Sequence, residues 1–345
     1  MEQSFLNSCK IKDGQYTVGE KIGEGGFGTV YHCFLNQCHI TVKILKTFEN
    51  EKAVQIFENE ITILATLNHP CCLRLTGFEL PTQPNSGWGA KIFTPYLSNG
   101  TLSDFLFKYI PKLNERSEVI KFYQTLLKIF YGVIRGLNYL HDQKLIHFDI
   151  KPDNVLLNSF DYPVITDFGL SIYAPKGNTN GGRGTLLFMA PEIVQGIDKP
   201  TSKVDIYSYG MLIYECFNIN PLYTEPKDIC NIPYYPEYPF EEFNIMSVKL
   251  EGYLPEKLDC IPEGLWNKII VPCLNPNPEK RVSAKDIIQI FENDEELESL
   301  GFPCFDISSF DQYRKYIQNE EMKIKIPRRR WHLYHPEQTF ITGNI

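Results

Sequence analysis

The run His147-Phe148-Asp149-Ile150-Lys151-Pro152-Asp153-Asn154 places a carboxylate, an ammonium and an amide within a few residues, and Asp167-Phe168-Gly169 follows 18 residues after Asp149. Moving a phosphoryl group takes a carboxylate to accept the proton of the attacking hydroxyl, a cation against the transferring phosphate, and oxygen ligands for magnesium. Asp149, Lys151, Asn154 and Asp167 supply those groups in that order. A polar residue capping a turn explains any one of them, but not the ordered set. Upstream, Gly23-Glu24-Gly25-Gly26-Phe27-Gly28-Thr29-Val30 has the spacing G-x-G-x-x-G-x-V. Such glycines let backbone amides approach phosphate oxygens without Cβ collisions, and the valine can cover a planar base. Alone, the run reads equally well as an unliganded glycine-rich hairpin. Lys43 comes 15 residues after Gly28. A lone strand lysine is usually a snorkelling surface side chain, but Glu60 offers it an ion-pair partner that would hold it toward a polyphosphate.

These groups need elements to position them. Residues 16–48 alternate apolar and polar between glycine-containing turns, as in His39-Ile40-Thr41-Val42-Lys43-Ile44-Leu45, which predicts a meander of strands. A strand after the glycine run disfavours a dinucleotide-binding fingerprint, which needs a helix there. Val54, Ile56, Phe57, Ile61, Leu64 and Leu67 recur mostly at spacings of three and four, so residues 51–67 are expected to be helical, closed by His69-Pro70. More strand-like sequence runs to Leu97. From Thr101 the pattern is helical, most clearly over Leu102–Tyr109, Val119–His141, Lys203–Phe217 and Trp266–Leu274. The chain thus passes from a β-rich segment to a larger α-rich one at Ser98-Asn99-Gly100, an α+β organisation. The prolines of residues 219–242 read as a packed connector.

Composition removes other classes. The 345 residues are 43% hydrophobic and 22% charged, a globular balance. The longest near-continuous apolar run, Leu126–Ile134, is interrupted by Lys128 and Gly132 and is about half of the ~18 residues a membrane span requires, so no transmembrane helix is expected. The N-terminus has no basic segment before an apolar stretch, and Glu2 excludes myristoylation, so a cytoplasmic location is expected. The ten cysteines form no Cys-x-x-Cys pair and no zinc-spaced cluster, and read as reduced thiols. A formal charge of −8 argues against a nucleic-acid-binding protein. That charge conceals an asymmetry. Residues 291–345 hold 7 basic and 10 acidic side chains, the acids leading and the bases (Lys323, Lys325, Arg328, Arg329, Arg330) trailing. The basic stretch could touch acidic partners or anionic lipid, although a solvated tail is the simpler reading.

Over residues 16–290 the ordered motifs resemble those of eukaryotic protein kinases. Further matches are Ala190-Pro191-Glu192, Asp205 before Gly210, and Arg281 in Asn277-Pro278-Glu279-Lys280-Arg281-Val282. The resemblance implies a bilobal fold with ATP between the lobes. The N-terminal lobe is expected over 16–97 and the helical lobe over 98–290, flanked by an N-terminal extension (1–15) and a C-terminal tail (291–345). It implies that Lys43 contacts the α- and β-phosphates and pairs with Glu60, that Asp149 is the catalytic base and Lys151 the γ-phosphate contact, and that Asn154 and Asp167 bind Mg2+. It places Ile22, Gly23, Gly25, Gly28 and Val30 over the nucleotide, Leu156 beneath the adenine, Tyr96 and Leu97 in the hinge, and Thr94 guarding a back pocket. Arg281 is expected to pair with Glu192. Lys151 two residues after the base, and Gly184-Thr185, resemble the pattern of enzymes acting on Ser and Thr, where the Thr hydroxyl bridges the base and the Lys. Asn99-Gly100-Thr101-Leu102 and Phe188-Met189-Ala190-Pro191-Glu192 are similar to the tyrosine-kinase-like group of these enzymes. The activity implied is transfer of the γ-phosphoryl group of Mg-ATP to protein Ser/Thr hydroxyls.

Two residues depart from the family pattern. Phe148 replaces the Arg that usually pairs with a phosphorylated activation-loop residue, so activity is expected not to depend strongly on such phosphorylation, although the loop (Asp167 to Glu192) offers Ser171, Tyr173 and Thr179. The alternative is that Phe148 packs beneath the loop while Arg183 takes the phosphate. Thr41 stands where Ala usually lies above the adenine, and its hydroxyl must find a partner or suffer a desolvation cost of roughly 1 to 3 kcal/mol. That position keeps a second class open, a pseudokinase scaffold that binds without catalysis. A small-molecule phosphotransferase is a third reading, but it would lack the Ala-Pro-Glu segment.

Overall fold

The computed structural model describes residues 8–25, 28–45, 51–80, 89–109, 115–174, 184–197, 199–218, 242–303 and 306–325. The chain divides into two compact units, the first of Met1–His69, Leu73–Tyr96 and Gln318–Ile345, the second of Pro70–Cys72 and Leu97–Ile317.

The first unit is built on an antiparallel sheet of five strands, β1 (Tyr16–Glu24), β2 (Gly28–Leu35), β3 (Cys38–Leu45), β4 (Gly77–Glu79) and β5 (Lys91–Pro95), in the order β1-β2-β3-β5-β4. Asn36 and Gln37, both with positive φ, make the two-residue turn whose twist matches the β2–β3 ribbon. The alternation seen in the sequence gives the sheet two faces. Cys33, Ile40, Val42 and Phe93 form an apolar cluster on one, with Tyr31, Ile44 and Tyr16 against it. The register pairs Val30 with Lys43 and Thr41 with Thr94, so these side chains share the opposite face. The helix α1 (Glu51–Thr66) carries Phe57 to within 6.5 Å of the Phe78 ring. Residues 9–11 run beside β4, with Phe78 N donating to Cys9 O (3.0 Å) and Ile11 N to Phe78 O (2.8 Å).

The second unit is mainly helical: α2 (Leu102–Tyr109), α3 (Arg116–Asp142), α4 (Pro191–Val194), α5 (Lys203–Phe217), α6 (Glu242–Leu250), α7 (Glu263–Leu265), α8 (Val271–Cys273), α9 (Ala284–Glu292), α10 (Asp294–Glu298) and, as far as Ile317, α11 (Ile307–Lys325). Two short ribbons, β6 (Leu145–Ile146) with β9 (Ile172–Tyr173) and β7 (Val155–Leu157) with β8 (Pro163–Ile165), complete it. Every residue of α5 from Val204 onward is buried, which makes it the core helix. The helix expected over 266–274 is not a simple α-helix. Trp266–Ile270 form a π-helical turn between α7 and α8, which accommodates Pro272, a residue with no N–H whose ring would collide with the preceding turn.

Residues 291–303 and 306–317 are packed within the helical unit. Leu297, Leu300, Phe310, Tyr313 and Ile317 are buried. Arg314 donates to Phe291 O (3.1 Å) and Asp294 Oδ1 (2.7 Å), so α11 is tied to the end of α9. Gly132, on α3, makes room for this packing, since a Cβ there would lie 2.3 Å from Tyr313 Oη and 2.5 Å from Pro163 Cγ. Three acids of this segment are paired: Glu292 with Arg135, Glu296 with Lys268, and Asp294 with Arg314. In the basic stretch Lys323 bonds Glu320, while Arg328, Arg329 and Arg330 lie outside the described residues, as do the connector 219–241, Thr179 and Arg183. Among the described residues no helix is long and apolar enough to cross a membrane.

Candidate active site

In the first unit, Lys43 Nζ donates to Glu60 Oε1 at 2.8 Å, with the glutamate side chain 5% exposed and the lysine 19%. Strand β3 aims Lys43 from the sheet face that also carries Val30, Thr41 and Thr94, and α1 supplies the glutamate. The extra hydroxyl of Thr41 is not left bare. Its Oγ1 lies 2.6 Å from Thr94 Oγ1 and 3.3 Å from Thr94 O, so it is answered by its cross-strand partner. Gly28 needs its lack of a side chain, because a Cβ there would lie 2.6 Å from Ile44 O. Gly23 pairs with Val30 across the β1–β2 ribbon, and Gly25 N donates to Gly28 O (2.9 Å). Ile22 lies on β1 and is 43% exposed. Gly26 and Phe27, at the tip of the run, are outside the described residues. Tyr96, 36% exposed, meets the His32 ring edge-on, with the ring centres 4.8 Å apart.

In the second unit the run 147–154 is organised from below by Asp205 on α5. This fully buried carboxylate accepts from His147 N and Phe148 N at 2.9 Å each and lies 2.9 Å from His141 Nε2. Those bonds hold Phe148 at φ 72°, a conformation a bulky residue rarely adopts. The Phe148 side chain is buried. Because Asp149 N donates to His147 Nδ1 (3.2 Å), His147 Nε2 is the protonated nitrogen and donates to Thr166 O (2.9 Å).

Asp149, buried behind this frame, is the centre of a small network. Asn154 Nδ2 donates to Asp149 O (2.7 Å) and Oδ2 (2.8 Å). The other carboxylate oxygen, Oδ1, accepts from Thr185 N and from Thr185 Oγ1, both at 2.9 Å. Lys151 Nζ donates to Thr185 Oγ1 (2.7 Å) and lies 3.2 Å from Asp149 Oδ2. The hydroxyl of Thr185 thus bridges the carboxylate and the ammonium. Gly184 brings the segment this close: with φ +103°, a Cβ there would lie 2.4 Å from Phe148 O. Asn154 directs its amide hydrogens to Asp149, which leaves Oδ1 as its oxygen for a hard cation. Asp167, at φ 60°, precedes the turn Phe168–Leu170, and the Phe168 ring meets His147 edge-on at 5.1 Å. Leu156 lies on β7 in a bridge with Thr101, and Leu97 opens the unit.

The segment that carries Thr185 is fixed at its other end by Arg281, which grips Glu192 through two nitrogens (2.7 and 2.9 Å). Its middle is held by groups that sequence reading missed. Ser208 Oγ donates to Phe188 O (2.8 Å), and Lys249 Nζ to Leu187 O and Met189 O (2.8 Å each). Burial and the nearby Arg281 push the Lys249 amine down to about 7, with Glu192 pulling the other way. No local spacing announces these partners, since they lie 20 to 62 residues away. Of the expected phosphorylatable residues, Ser171 is fully buried and donates to His147 O (3.2 Å).

Comparison with known proteins gives a consistent picture. Residues 16–290 match the protein kinase domain family. The leaf rust 10 disease-resistance locus receptor-like protein kinase-like 2.1 of Arabidopsis thaliana is 30% identical over 293 residues, 79% of this chain and 42% of its own. Rust resistance kinase Lr10 of Triticum aestivum is 30% identical over 304 residues, 82% of this chain and 44% of its own. A G-type lectin S-receptor-like serine/threonine-protein kinase of Arabidopsis thaliana is 29% identical over 316 residues, 87% of this chain and 36% of its own. The chain spans less than half the length of each of these relatives.

Proposed function

The chain belongs to the protein kinase family, and on that premise we propose that it is a serine/threonine kinase, transferring the γ-phosphoryl group of Mg-ATP to hydroxyls of protein substrates. The catalytic domain in this reading is residues 16–290, with the buried part of 291–317 built into its helical unit. The observation that carries the reading is the Asp149–Thr185–Lys151 network. It holds a carboxylate and an ammonium side by side through one hydroxyl.

Asp149 takes the proton of the attacking hydroxyl. It is restrained by Asn154 and Thr185 so that its geometry is set before substrate arrives. Lys151 neutralises charge that develops on the transferred group, and Lys43, oriented by Glu60, holds the nucleotide phosphates. Asn154 and Asp167 offer oxygen donors of the kind magnesium takes. Magnesium, when bound, neutralises the phosphate oxygens. In the first unit, Ile22, Gly23, Gly25, Gly28 and Val30 are assigned to the nucleotide and Thr94 and Tyr96 to its base; in the second, Leu97 and Leu156 are assigned to the base. Complete catalytic parts, and a Thr41 hydroxyl already answered by Thr94, support catalysis over a scaffold role. A cytoplasmic setting is part of this reading, and the eight described cysteines, none of them in a disulfide, suit a reducing compartment.

The test is phosphate transfer from labelled ATP to a generic protein substrate by wild type beside Asp149→Asn, with the labelled amino acids identified. Label on Ser and Thr that disappears in the variant is the expected result. Equal inactivity of the two, with ATP still bound, would transfer the assignment to a scaffold.

A further inference from the structure

Lys249 is an unusual residue to find where it is. It sits in the last turn of α6, 1% exposed, and among the described residues no carboxylate bonds it. An ammonium in such a place requires all three of its N–H groups to be satisfied. Two go to Leu187 O and Met189 O at 2.8 Å, and the third to the Tyr207 hydroxyl at 3.3 Å. The Tyr207 ring also lies 4.6 Å from Nζ, with Arg281 5.2 Å from the same ring. Placing an amine here works against the cost of burial, which a methionine of similar length would avoid while filling the same space.

The two carbonyls belong to the stretch between Thr185 and Glu192. A substrate hydroxyl giving its proton to Asp149 must come within about 3 Å of that carboxylate, and Thr185 already occupies one of its oxygens. The chain flanking the hydroxyl must therefore pass close to Thr185, whose carbonyl accepts from Phe188 N (2.9 Å) in the turn that leads into Leu187–Met189. With Ser208 on the intervening Phe188 O, three consecutive carbonyls of this stretch are held by side chains from α5 and α6.

We propose that Lys249 is a positioning residue for the protein substrate: by holding the Leu187 and Met189 carbonyls it fixes the surface on which the substrate chain lies beside Asp149. The proposal rests on the kinase reading for its consequence and on the contacts alone for the clamp, so two measurements separate them. In Lys249→Met, the KM for a peptide substrate rises about 10-fold or more while the KM for ATP is unchanged. By hydrogen exchange, the Phe188 and Met189 amides, which bond back to Thr185 and Leu186, exchange about 10-fold faster. Unchanged exchange in the folded variant overturns the clamp. Faster exchange with an unchanged peptide KM, or equal losses for peptide and ATP, overturns the positioning role. A wild type without transfer activity sinks the kinase reading, and the exchange arm still decides the clamp. Should Lys249→Met not fold, acetylation of native wild type decides instead: Lys249 resists while the exposed Lys285 reacts, and equal labelling overturns the proposal.

Discussion

The run 147–154 and the segment 291–317 are both rich in charged residues, but they direct those charges differently. In the first, the groups that do the chemistry are near in sequence, Asn154 bonding Asp149 from five residues away and Lys151 lying two residues from it, while Thr185 and Asp205 brace them across 36 and 57 residues. In the second the partners are remote. Arg135 reaches Glu292 across 157 residues, Lys268 reaches Glu296 across 28, and Arg314 reaches the Phe291 carbonyl across 23. Local pairing keeps polar groups on a short loop where they can be aimed at a substrate, and it fixes their spacing, so the group is readable as a motif. Remote pairing joins one element to another and leaves no spacing to read.

Two substitutions should separate these roles, beginning with the largest effect. Asp149→Asn is isosteric and is expected to lower phosphate transfer by roughly 10² to 10⁴, with a melting temperature within a few degrees of wild type. Arg314→Met should do the reverse. It leaves the Phe291 carbonyl without its bond and frees Asp294 and Asp311, which are 58% and 35% exposed and so recover water. The loss is about 2 kcal/mol, a fall of roughly 5 °C in melting temperature for a domain of this size. Transfer measured well below that temperature should be unchanged. If Arg314→Met halted catalysis in a folded protein, the division between the two regions would fail.

A smaller effect tests the second region from the side of α3. Gly132→Ala gains up to ~1 kcal/mol of helix propensity, yet its Cβ meets Tyr313 Oη and Pro163 Cγ well inside contact distance. Overpacking of this kind costs about 1 to 3 kcal/mol, so the net result is a lower unfolding midpoint in denaturant. Tyr313→Phe removes one of the two collisions. The double variant should therefore be more stable than the two single effects predict, and simple additivity would show that α11 does not press on α3 in solution.

The same distinction explains what was legible in the sequence. The β-rich and helical parts followed from alternation and three-four spacing, and Leu102–Tyr109 and Lys203–Phe217 fall where the pattern put them. The site motifs were legible because their members are close in the chain. Lys249, Ser208 and Tyr207 were not, because each acts on a backbone carbonyl or a ring far away, and a carbonyl has no residue identity to recognise. Phe310, Tyr313 and Ile317 carried a usable signal in their spacing of three and four, overshadowed by the charge of their neighbours. The π-helical turn at Trp266–Ile270 was hinted at by Pro272 alone.

Thr41 is the case that could fall on either side. It stands on the sheet face assigned to the nucleotide, where an extra hydroxyl would ordinarily be expected to weaken binding by remaining unsatisfied. Its bond to Thr94 Oγ1 at 2.6 Å instead places it with the groups that serve the chain itself. Thr41→Ala is then expected to change ATP affinity by less than ~3-fold, because no unsatisfied hydroxyl is being removed from the nucleotide's surroundings. It should lower stability by about 1 kcal/mol, the usual net loss of one such hydrogen bond, because Thr94, itself 9% exposed, loses its partner. Nucleotide titration and denaturant unfolding on the same preparation read both numbers. A tenfold tightening of ATP with unchanged stability would mean that the hydroxyl faces the ligand, and Thr41 would move to the other side of the comparison.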